Sequence, residues 1–318
     1  MSENRDTASV NPKKSFRWKR LLAGIGLVLL LVAAAAGAWV MFQVRAFDAS
    51  LQTVYDVPAP AFVHSIDPAV VARGKHLAES VAACATSDCH GVDLSGGRTL
   101  QLGPLGNFTG PNITPAGLAA VYSDGELARV IQHGIKRNGQ TVRMMPSHEV
   151  GWFPGADIAA IVSFVRSVPA VEKPNGEVSI GVLGKVLDRN DKIVLDVARK
   201  IDHSRATDAP LVPEPTARYG AYLVRSCTGC HGDHLGGGRI PGAPASMTTP
   251  ANLTPHETGL ATWGFDDFSK VLETGVRPDG RKLSKDMPYE ALSKTDLTER
   301  KALWAYLRAL PPAPFGSR

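Results

Sequence analysis

Two cysteines and a histidine stand together in the stretch Cys227-Thr228-Gly229-Cys230-His231. Two thiols at this spacing can add across the two vinyl groups of a haem, and a histidine directly after the second cysteine then lies beneath the iron as an axial ligand. A redox dithiol and half of a zinc site also use two cysteines separated by two residues, but neither needs the adjacent histidine. The stretch therefore predicts covalent haem attachment through Cys227 and Cys230, with His231 on the iron.

The other two cysteines of the chain form a second, less regular motif. Cys84 and Cys89 are separated by four residues, and His90 follows at once. All four cysteines are thus confined to two places, which argues against a disulfide framework. A thiol-disulfide or zinc-binding module is the alternative that the cysteines alone leave open, and a stain for covalently bound haem on a denaturing gel separates it from haem attachment.

The surroundings of the two motifs repeat each other over the length of a small domain. The segment Leu94–Arg98 (Leu-Ser-Gly-Gly-Arg) matches Leu235–Arg239 (Leu-Gly-Gly-Gly-Arg). An Asn-Ile-Thr-Pro loop begins at Asn112 and an Asn-Leu-Thr-Pro loop at Asn252, 22 and 21 residues after the respective histidines. We infer that the chain contains two copies of one module.

A Met-Pro pair occurs at the same place in both modules. Met145 lies 55 residues after His90, and Met287 lies 56 residues after His231. Methionine often only fills a core, but a haem iron with one histidine ligand needs a sixth ligand, and a methionine thioether is a common one. We therefore predict Met145 and Met287 as axial ligands, with Met144 as the neighbouring competitor in the first module.

The same helices are predicted around both motifs. An opening helix over 68–81 begins at an Asp-Pro cap, and a counterpart precedes the second motif. Glycine recurs in both opening helices, at Gly74 and Gly220. Because glycine costs about 1 kcal/mol in a helix relative to alanine, its recurrence indicates a close crossing by another helix.

Each module also contains a short amphipathic helix and a closing helix. Ser123 and Glu126 form a capping-box pattern for the short helix of the first module. Closing helices are predicted over 156–167 and 297–309 from their apolar spacing. The connector between the modules has no cysteine and no Met-Pro pair, and we expect a short helix over 192–201 within it.

The N-terminus differs in composition from the rest of the chain. Residues 21–44 are an uninterrupted uncharged run, and a membrane-spanning helix needs about 20 such residues. Six of the 35 basic residues and two of the 30 acidic residues precede Arg45, so the remainder carries 29 basic and 28 acidic residues. The basic flank predicts a cytoplasmic N-terminus, and the near-neutral remainder gives no support for nucleic-acid binding. A cleaved signal peptide is the alternative, although its apolar core is typically shorter, about 7 to 15 residues.

With these motifs the chain resembles two tandem class I cytochrome c domains. The resemblance rests on the Cys-x-x-Cys-His stretch, the Asn-x-Thr-Pro loops, the Met-Pro loops and the closing helices. Within that family, the sequence pattern is most similar to that of membrane-associated multihaem cytochromes, such as the cytochrome subunits of periplasmic alcohol and aldehyde dehydrogenases. Those subunits usually carry three modules, whereas this chain carries two. The expected fold class is mostly α. The expected order is a basic cytoplasmic N-terminus (1–20), a transmembrane anchor (21–44), a tether (45–61), cytochrome c domain 1 (62–170), a linker (171–213) and cytochrome c domain 2 (214–318).

The resemblance implies two covalently bound haem c groups and their ligands. Cys227 and Cys230 would hold the second haem through thioethers, with His231 and Met287 on its iron. Cys89, His90 and Met145 carry over to the first haem in the same way. Thr86 occupies the place of the usual first cysteine there. Double attachment through Cys84 and Cys89 is expected, with a single thioether from Cys89 as the alternative.

The expected function is electron transfer without catalysis, from a donor to an acceptor at the membrane. The expected location is the bacterial inner membrane, as a single-pass protein with its haem domains in the periplasm. Redox proteins are the expected partners: a dehydrogenase, a quinol-oxidising complex, an oxidase or a soluble cytochrome. A diheme cytochrome c peroxidase is the rival interpretation, but it needs one haem that can open for peroxide, and paired Met-Pro loops argue against that.

Overall fold

The computed structural model describes residues 12–204, 211–241 and 243–318, with side chains from Trp18 onward. The chain divides into two compact units, Met1–Ala46 and Phe47–Arg318. The described residues of the first unit all belong to helix α1 (Pro12–Ser50), whose last four residues are counted in the second unit. Its portion Trp18–Ser50 is long and apolar enough to cross a membrane. Most of the predicted cytoplasmic N-terminus lies outside the described residues.

The segment predicted as a tether is folded onto the first module. Its first residues belong to α1, which continues to Ser50. Farther along, the backbone N–H of Tyr55 donates to the carbonyl of Gly139 (2.9 Å). The guanidinium of Arg129 donates to the carbonyl of Val57 (3.0 Å). The segment therefore packs against the first module and is not a free linker, because its backbone groups form hydrogen bonds with that module.

The second unit is mostly helical, as the sequence predicts. Its helices are α2 (Pro68–Glu79), α3 (Asp124–His133), α4 (Ser147–Val150), α5 (Gly155–Ser167), α6 (Val182–Arg189), α7 (Ala217–Leu223), α8 (Arg225–His231), α9 (Phe265–Thr274), α10 (Tyr289–Leu292) and α11 (Leu297–Ala309). Three short strands form an antiparallel sheet with β2 in the centre: β1 (Leu100–Gln101), β2 (Gly106–Phe108) and β3 (Ser179–Ile180). The first module contains α2 to α5, and the second contains α7 to α11.

Helix boundaries follow the predicted capping signals closely. The side chain of Asp67 accepts from the backbone N–H of Ala69 (2.8 Å) at the start of α2. Ser123 and Glu126 form the predicted capping box at the start of α3. The closing helices α5 and α11 lie within one residue of their predicted bounds. These local side chain to backbone hydrogen bonds satisfy N–H groups that a helix leaves unpaired in its first turn.

The opening helix crosses the closing helix at glycine in both modules. Helix α2 packs on α5, and α7 packs on α11. A β-carbon on Gly74 would overlap the carbonyl oxygen of Ala160, and one on Gly220 would overlap that of Ala302. The prediction of a close helix crossing at Gly74 and Gly220 is therefore confirmed.

Replacing Gly220 with alanine is expected to destabilise the second module by about 2–3 kcal/mol, because the added methyl group forces α7 away from α11 and overpacking of this kind costs about 1–3 kcal/mol or more. The control is Gly155→Ala, since Gly155 also lies in a helix but has open space around its missing β-carbon. Guanidinium unfolding curves of the two variants measure the difference. Equal stability of Gly220→Ala and the unsubstituted protein would contradict the tight crossing.

The connector between the modules also packs on the first module. Strand β3 pairs with β2, with Ile180 opposite Gly106. The helix predicted over 192–201 is wrong: the helix in this region is α6, and Ala198–Lys200 is only a single 3₁₀ turn. The physical reason is the buried carboxylate of Asp188, which accepts from the backbone N–H groups of Leu195 (2.7 Å) and Asp196 (3.1 Å). Those hydrogen bonds hold the following chain in a turn and compete with a helix. Connector residues 205–210 lie outside the described part of the chain.

Candidate haem sites

Helix α8 presents the second cysteine motif. Cys227 and Cys230 lie three residues apart on it, so their side chains share one face of the helix. His231 is the last residue of α8 and is buried. Gly232 follows with a φ of 83°, a left-handed conformation that suits glycine and ends the helix directly after the histidine. The local fold thus directs two thiols and an imidazole to one place.

An apolar cavity of about 100 Å³ opens beside this helix. Cys227, His231 and Met287 all line it, so the structure brings the predicted thiol, imidazole and thioether to one space. Helices α9 and α11 supply much of the remaining wall, through Phe268, Val271, Leu272, Leu303 and Leu307. Pockets for cofactors are typically lined by apolar side chains with a few polar groups. The lining therefore suits a planar apolar group whose iron would be held by nitrogen and sulfur.

Both candidate histidines make the same hydrogen bond. The Nδ1–H of His231 donates to the carbonyl of Ala251 (2.7 Å), and the Nδ1–H of His90 donates to the carbonyl of Pro111 (2.9 Å). Because a carbonyl can only accept, this contact fixes the neutral ring with its lone pair on Nε2. Burial lowers the pKa of His90 and of His231, which favours the neutral form that a metal ligand requires. Both imidazoles therefore have an unprotonated Nε2, which is the form that can bind a metal ion.

The Asn-x-Thr-Pro loops hold those carbonyls in place. The side-chain oxygen of Asn252 accepts from the backbone N–H (2.9 Å) and the hydroxyl (2.8 Å) of Thr254, and its amide donates to the carbonyl of Ala313 (2.7 Å) beyond the closing helix. In the first module, Asn112 makes the same three contacts, to the backbone N–H and hydroxyl of Thr114 and to the carbonyl of Val171 (2.7 Å). The sequence reveals the repeat of these loops. It does not reveal their role, because the group that supports each histidine is a backbone carbonyl.

The first cysteine motif lies in turns instead of a helix. The backbone N–H of Gly91 donates to the carbonyl of Thr86 (2.8 Å), five residues back, whereas that of Gly232 donates to Thr228 (2.8 Å), four residues back. The hydrogen-bonded turn that ends at the glycine after the histidine is therefore one residue longer in the first module than in the second. Cys84 packs against the apolar cluster of Ala78, Ala85, Leu94, Ala119, Phe164 and Val165. The longer loop therefore still directs Cys84 toward the interior of its module.

The thiols have the wrong environment for thiolate chemistry. Burial raises the pKa of Cys84 and of Cys227 to about 12, and it raises the pKa of Cys89 and Cys230 as well. Redox dithiols use a thiolate whose pKa is lowered by its surroundings. Among the described residues, the one group of three potential metal-ligating side chains is His76, Asp296 and Glu299, which contains no cysteine. The environment therefore favours thioether attachment over the thiol-disulfide and zinc alternatives.

The two Met-Pro loops have the same backbone. The carbonyl of Met145 accepts from the N–H of Ser147 (2.8 Å), and that of Met287 accepts from the N–H of Tyr289 (2.8 Å). A short helix, α4 or α10, begins directly after each proline. Met144 has a φ of 63° and packs with the cluster that contains Phe108 and Leu195. Met145 is therefore the residue in register with Met287, and its role as a ligand remains a prediction.

A half-buried carboxyl group that the sequence did not single out lies beside the second motif. The carboxylate of Glu149, on α4, occupies the space next to Gly229 of α8, where a β-carbon would overlap it. Burial, together with the carboxylate of Asp233, raises the pKa of Glu149 to about 7. No signal in the sequence indicates this pairing, because Glu149 and Gly229 are 80 residues apart.

Glu149→Gln is expected to stabilise the protein above neutral pH. Between the ordinary pKa of 4.5 and the folded value of about 7, the folded state keeps a proton that the unfolded state has lost. Stability therefore falls as pH rises through this window, and the loss above it is roughly 3 kcal/mol. Unfolding curves should show Glu149→Gln more stable than the unsubstituted protein at pH 8 but not at pH 4. Glu290→Gln on α10, which removes an exposed carboxylate, should show no such pH-dependent gain; an equal gain there would contradict the assignment.

Known proteins match the chain, some over about a third of its length and one over most of it. It is 34% identical over 101 residues to the fructose dehydrogenase cytochrome subunit of Gluconobacter japonicus, covering 29% of this chain and 21% of that subunit. It is 25% identical over 311 residues to a diheme cytochrome c-type protein of Cereibacter sphaeroides, covering 90% of this chain and 97% of that protein. The chain is thus similar to diheme cytochromes c. No protein-family model matches it.

A third relative is the cytochrome c subunit of the quinone-dependent alcohol dehydrogenase of Gluconobacter oxydans, 28% identical over 111 residues that cover 33% of this chain and 22% of that subunit. The chain spans about a fifth of the length of the dehydrogenase subunits it matches. These relatives imply covalently bound haem c, and the predicted resemblance to cytochrome subunits of dehydrogenases is confirmed.

Proposed function

We propose that the chain relays single electrons between redox proteins through two covalently bound haem c groups. The observation that carries the proposal is the shared apolar cavity of Cys227, His231 and Met287. His231 and Met287 would hold the iron of a bound haem, which would supply one-electron chemistry between Fe(III) and Fe(II), and the soft sulfur would favour Fe(II). The protein supplies the neutral imidazole, the thioether and an apolar wall that limits water.

The first module is proposed to bind its haem in the equivalent way. His90 and Met145 would be the iron ligands, and Cys84 and Cys89 would form the thioethers. The matching hydrogen bonds of His90 and His231 support this assignment, as do the matching backbones at Met145 and Met287. Met144 is the weaker candidate because its side chain packs with a different apolar cluster.

The chain is proposed to act without a catalytic centre of its own. The relatives are electron-transfer subunits of dehydrogenases or a diheme cytochrome c, and they give no support to the peroxidase interpretation. A peroxidase needs an iron with an accessible position, whereas each module here offers both a histidine and a methionine at matching places.

The proposed location is the inner membrane of a bacterium, with α1 as a single-pass anchor and the haem modules in the periplasm. The length and apolar character of Trp18–Ser50 support an anchor. The basic flank at Lys13, Lys14 and Arg17 supports a cytoplasmic N-terminus. The proposed donor is a dehydrogenase, as the names of the relatives suggest, and the acceptor a quinol-oxidising complex, an oxidase or a soluble cytochrome.

Stopped-flow spectroscopy of the full-length protein tests this function. The fully reduced protein is mixed with an excess of oxidised soluble cytochrome c, and in parallel with hydrogen peroxide. Two electrons per chain should pass to the cytochrome in single-electron steps, whereas peroxide should be consumed no faster than by free haem. Rapid peroxide turnover with slow reduction of the cytochrome would overturn the proposal in favour of a peroxidase.

A further inference from the structure

We propose that six polar side chains lock the two haem modules into one fixed arrangement and thereby set the rate of electron transfer between them. We call them the interface cluster: Arg73, His76 and Asp157 of the first module, and Tyr219, Tyr222 and Glu299 of the second. The inference rests on the proposed function, since it concerns how far apart the two haem sites are held.

Asp157 connects the two modules on one side of the cluster. It lies in the first turn of α5, and the guanidinium of Arg73 on α2 donates to both of its oxygens (3.1 Å each). The hydroxyl of Tyr222 on α7 donates to the same carboxylate (2.8 Å). Hydrogen bonds to a charged acceptor are about twice as strong as neutral ones, and the paired contact from arginine fixes orientation as well as distance.

Glu299 connects the modules on the other side. It is fully buried in the first turn of α11, yet the basic side chains beside it both come from the first module. The Nε2 of His76 lies 2.9 Å from each oxygen of Glu299, and Nη1 of Arg73 lies 3.8 Å away. Removing a partner from a buried charge is strongly destabilising. Separating the modules would remove both basic side chains and leave Glu299 with the backbone N–H of Asp296 (3.0 Å) and the hydroxyl of Tyr219 (3.4 Å) from its own module.

Aromatic rings fill the space between these polar contacts. The rings of Phe153 and Tyr222 lie 5.0 Å apart across the two modules, and those of Tyr219 and Tyr222 stack at 5.7 Å. All three side chains are almost completely buried. They belong to one apolar core that includes Leu77 and Ile161 of the first module and Leu223 and Leu303 of the second. The modules therefore share one apolar core, and the interface cluster fixes how the two modules are oriented across it.

The same arrangement brings the two candidate haem sites into direct protein contact. Helix α4, which begins after Met145-Pro146, packs on α8, which carries Cys227, Cys230 and His231. The Glu149 carboxylate lies against Gly229, and the guanidinium of Arg225 on α8 lies 4.2 Å from the ring centre of Trp152. The loop of the candidate methionine ligand in one module thus touches the attachment helix of the other. Because electron transfer slows steeply with distance, loosening this contact should slow transfer between the modules.

The test uses the full-length protein with both haems bound and two levels of disruption. Tyr222→Phe removes one hydrogen bond and keeps the ring. The double variant Asp157→Asn with Glu299→Gln replaces the two carboxylates beside Arg73 and His76 with neutral amides. A pulse of reductant delivers less than one electron per chain, and absorbance follows its redistribution between the haems. We expect transfer to slow two- to fivefold in Tyr222→Phe and at least tenfold in the double variant, while the absorption spectrum of each haem stays unchanged.

The matched control is Asp124→Asn. Asp124 is a similarly buried carboxylate paired with Arg166 (2.7 Å) and His64 (2.9 Å), all within the first module. This control should lower the stability of that module and leave the transfer rate unchanged. Calorimetry gives a second readout: one unfolding transition for the unsubstituted protein should split into two in the double variant.

The possible failures are distinguishable. The role of the interface cluster would be overturned by two results together: Tyr222→Phe transfers electrons between the haems as fast as the unsubstituted protein, and the double variant still unfolds in a single calorimetric transition. The proposed function would then remain intact. Absence of transfer between two low-spin haems in the unsubstituted protein would overturn the proposed function itself. If the double variant does not fold, Tyr222→Phe still decides, because it keeps the packing of the core.

Discussion

Replacing Cys227 and Cys230 together with serine is expected to reduce the covalently bound haem from two per chain to one. Both thiols lie on one face of α8, and Cys227 lines the apolar cavity, so no other described cysteine of the second module can take their place. Serine keeps the size of each side chain but cannot form a thioether. Intact-protein mass spectrometry under denaturing conditions measures the haem that remains attached.

The single variant Cys84→Ser is the control for this experiment. It should keep two covalently bound haems, because Cys89 can still attach the first one. One vinyl group of that haem would then remain unreacted, and the absorption maximum of its pyridine complex would shift to longer wavelength. Retention of two attached haems after loss of both Cys227 and Cys230 would contradict the assignment of α8 as the attachment helix.

Met287→Ala should open one iron and lower its midpoint potential. The thioether stabilises Fe(II), so its loss should shift the potential down by on the order of 0.1–0.3 V, within the roughly 0.8 V that axial ligands span. Half of the sulfur-to-iron absorption band should disappear, and cyanide should bind to one iron per chain without displacing a ligand. An optical redox titration and a cyanide titration measure the two effects.

The neighbouring methionines of the first module provide a matched pair. Met145→Ala should reproduce the effects of Met287→Ala on the first haem, because the two residues share the same backbone hydrogen bond. Met144→Ala should leave both haems in their original coordination and cost only packing, since Met144 contacts the cluster around Phe108 and Leu195. Loss of the sulfur band in Met144→Ala but not in Met145→Ala would reverse the ligand assignment.

The sequence predicts well what depends on nearby residues. The capping box of Ser123 and Glu126 and the cap at Asp67 are visible because their partners lie two or three residues away. The crossing at Gly74 and Gly220 could be predicted because the repeat shows the same costly residue twice in one place. The pairing of His231 with Met287 rests on the same repeat, and both residues line one cavity. The pairing of His90 with Met145 stays a prediction.

What depends on distant residues could not be predicted. The helix expected over 192–201 fails because Asp188, outside that window, captures its backbone N–H groups. The support of His90 and His231 comes from backbone carbonyls, which no residue type reveals. The contact between the modules joins side chains as far apart in the chain as His76 and Glu299. The internal repeat could not reveal this contact, because it lies between the modules and is not repeated within either of them.

Electron paramagnetic resonance of the fully oxidised, full-length protein tests the central claim most directly. Two iron centres, each with nitrogen and sulfur as axial ligands, predict two low-spin ferric signals of equal intensity per chain. Neither signal should change when hydrogen peroxide or fluoride is added. A single low-spin signal, or a high-spin signal that responds to either addition, would contradict the account of two closed haem sites on one chain.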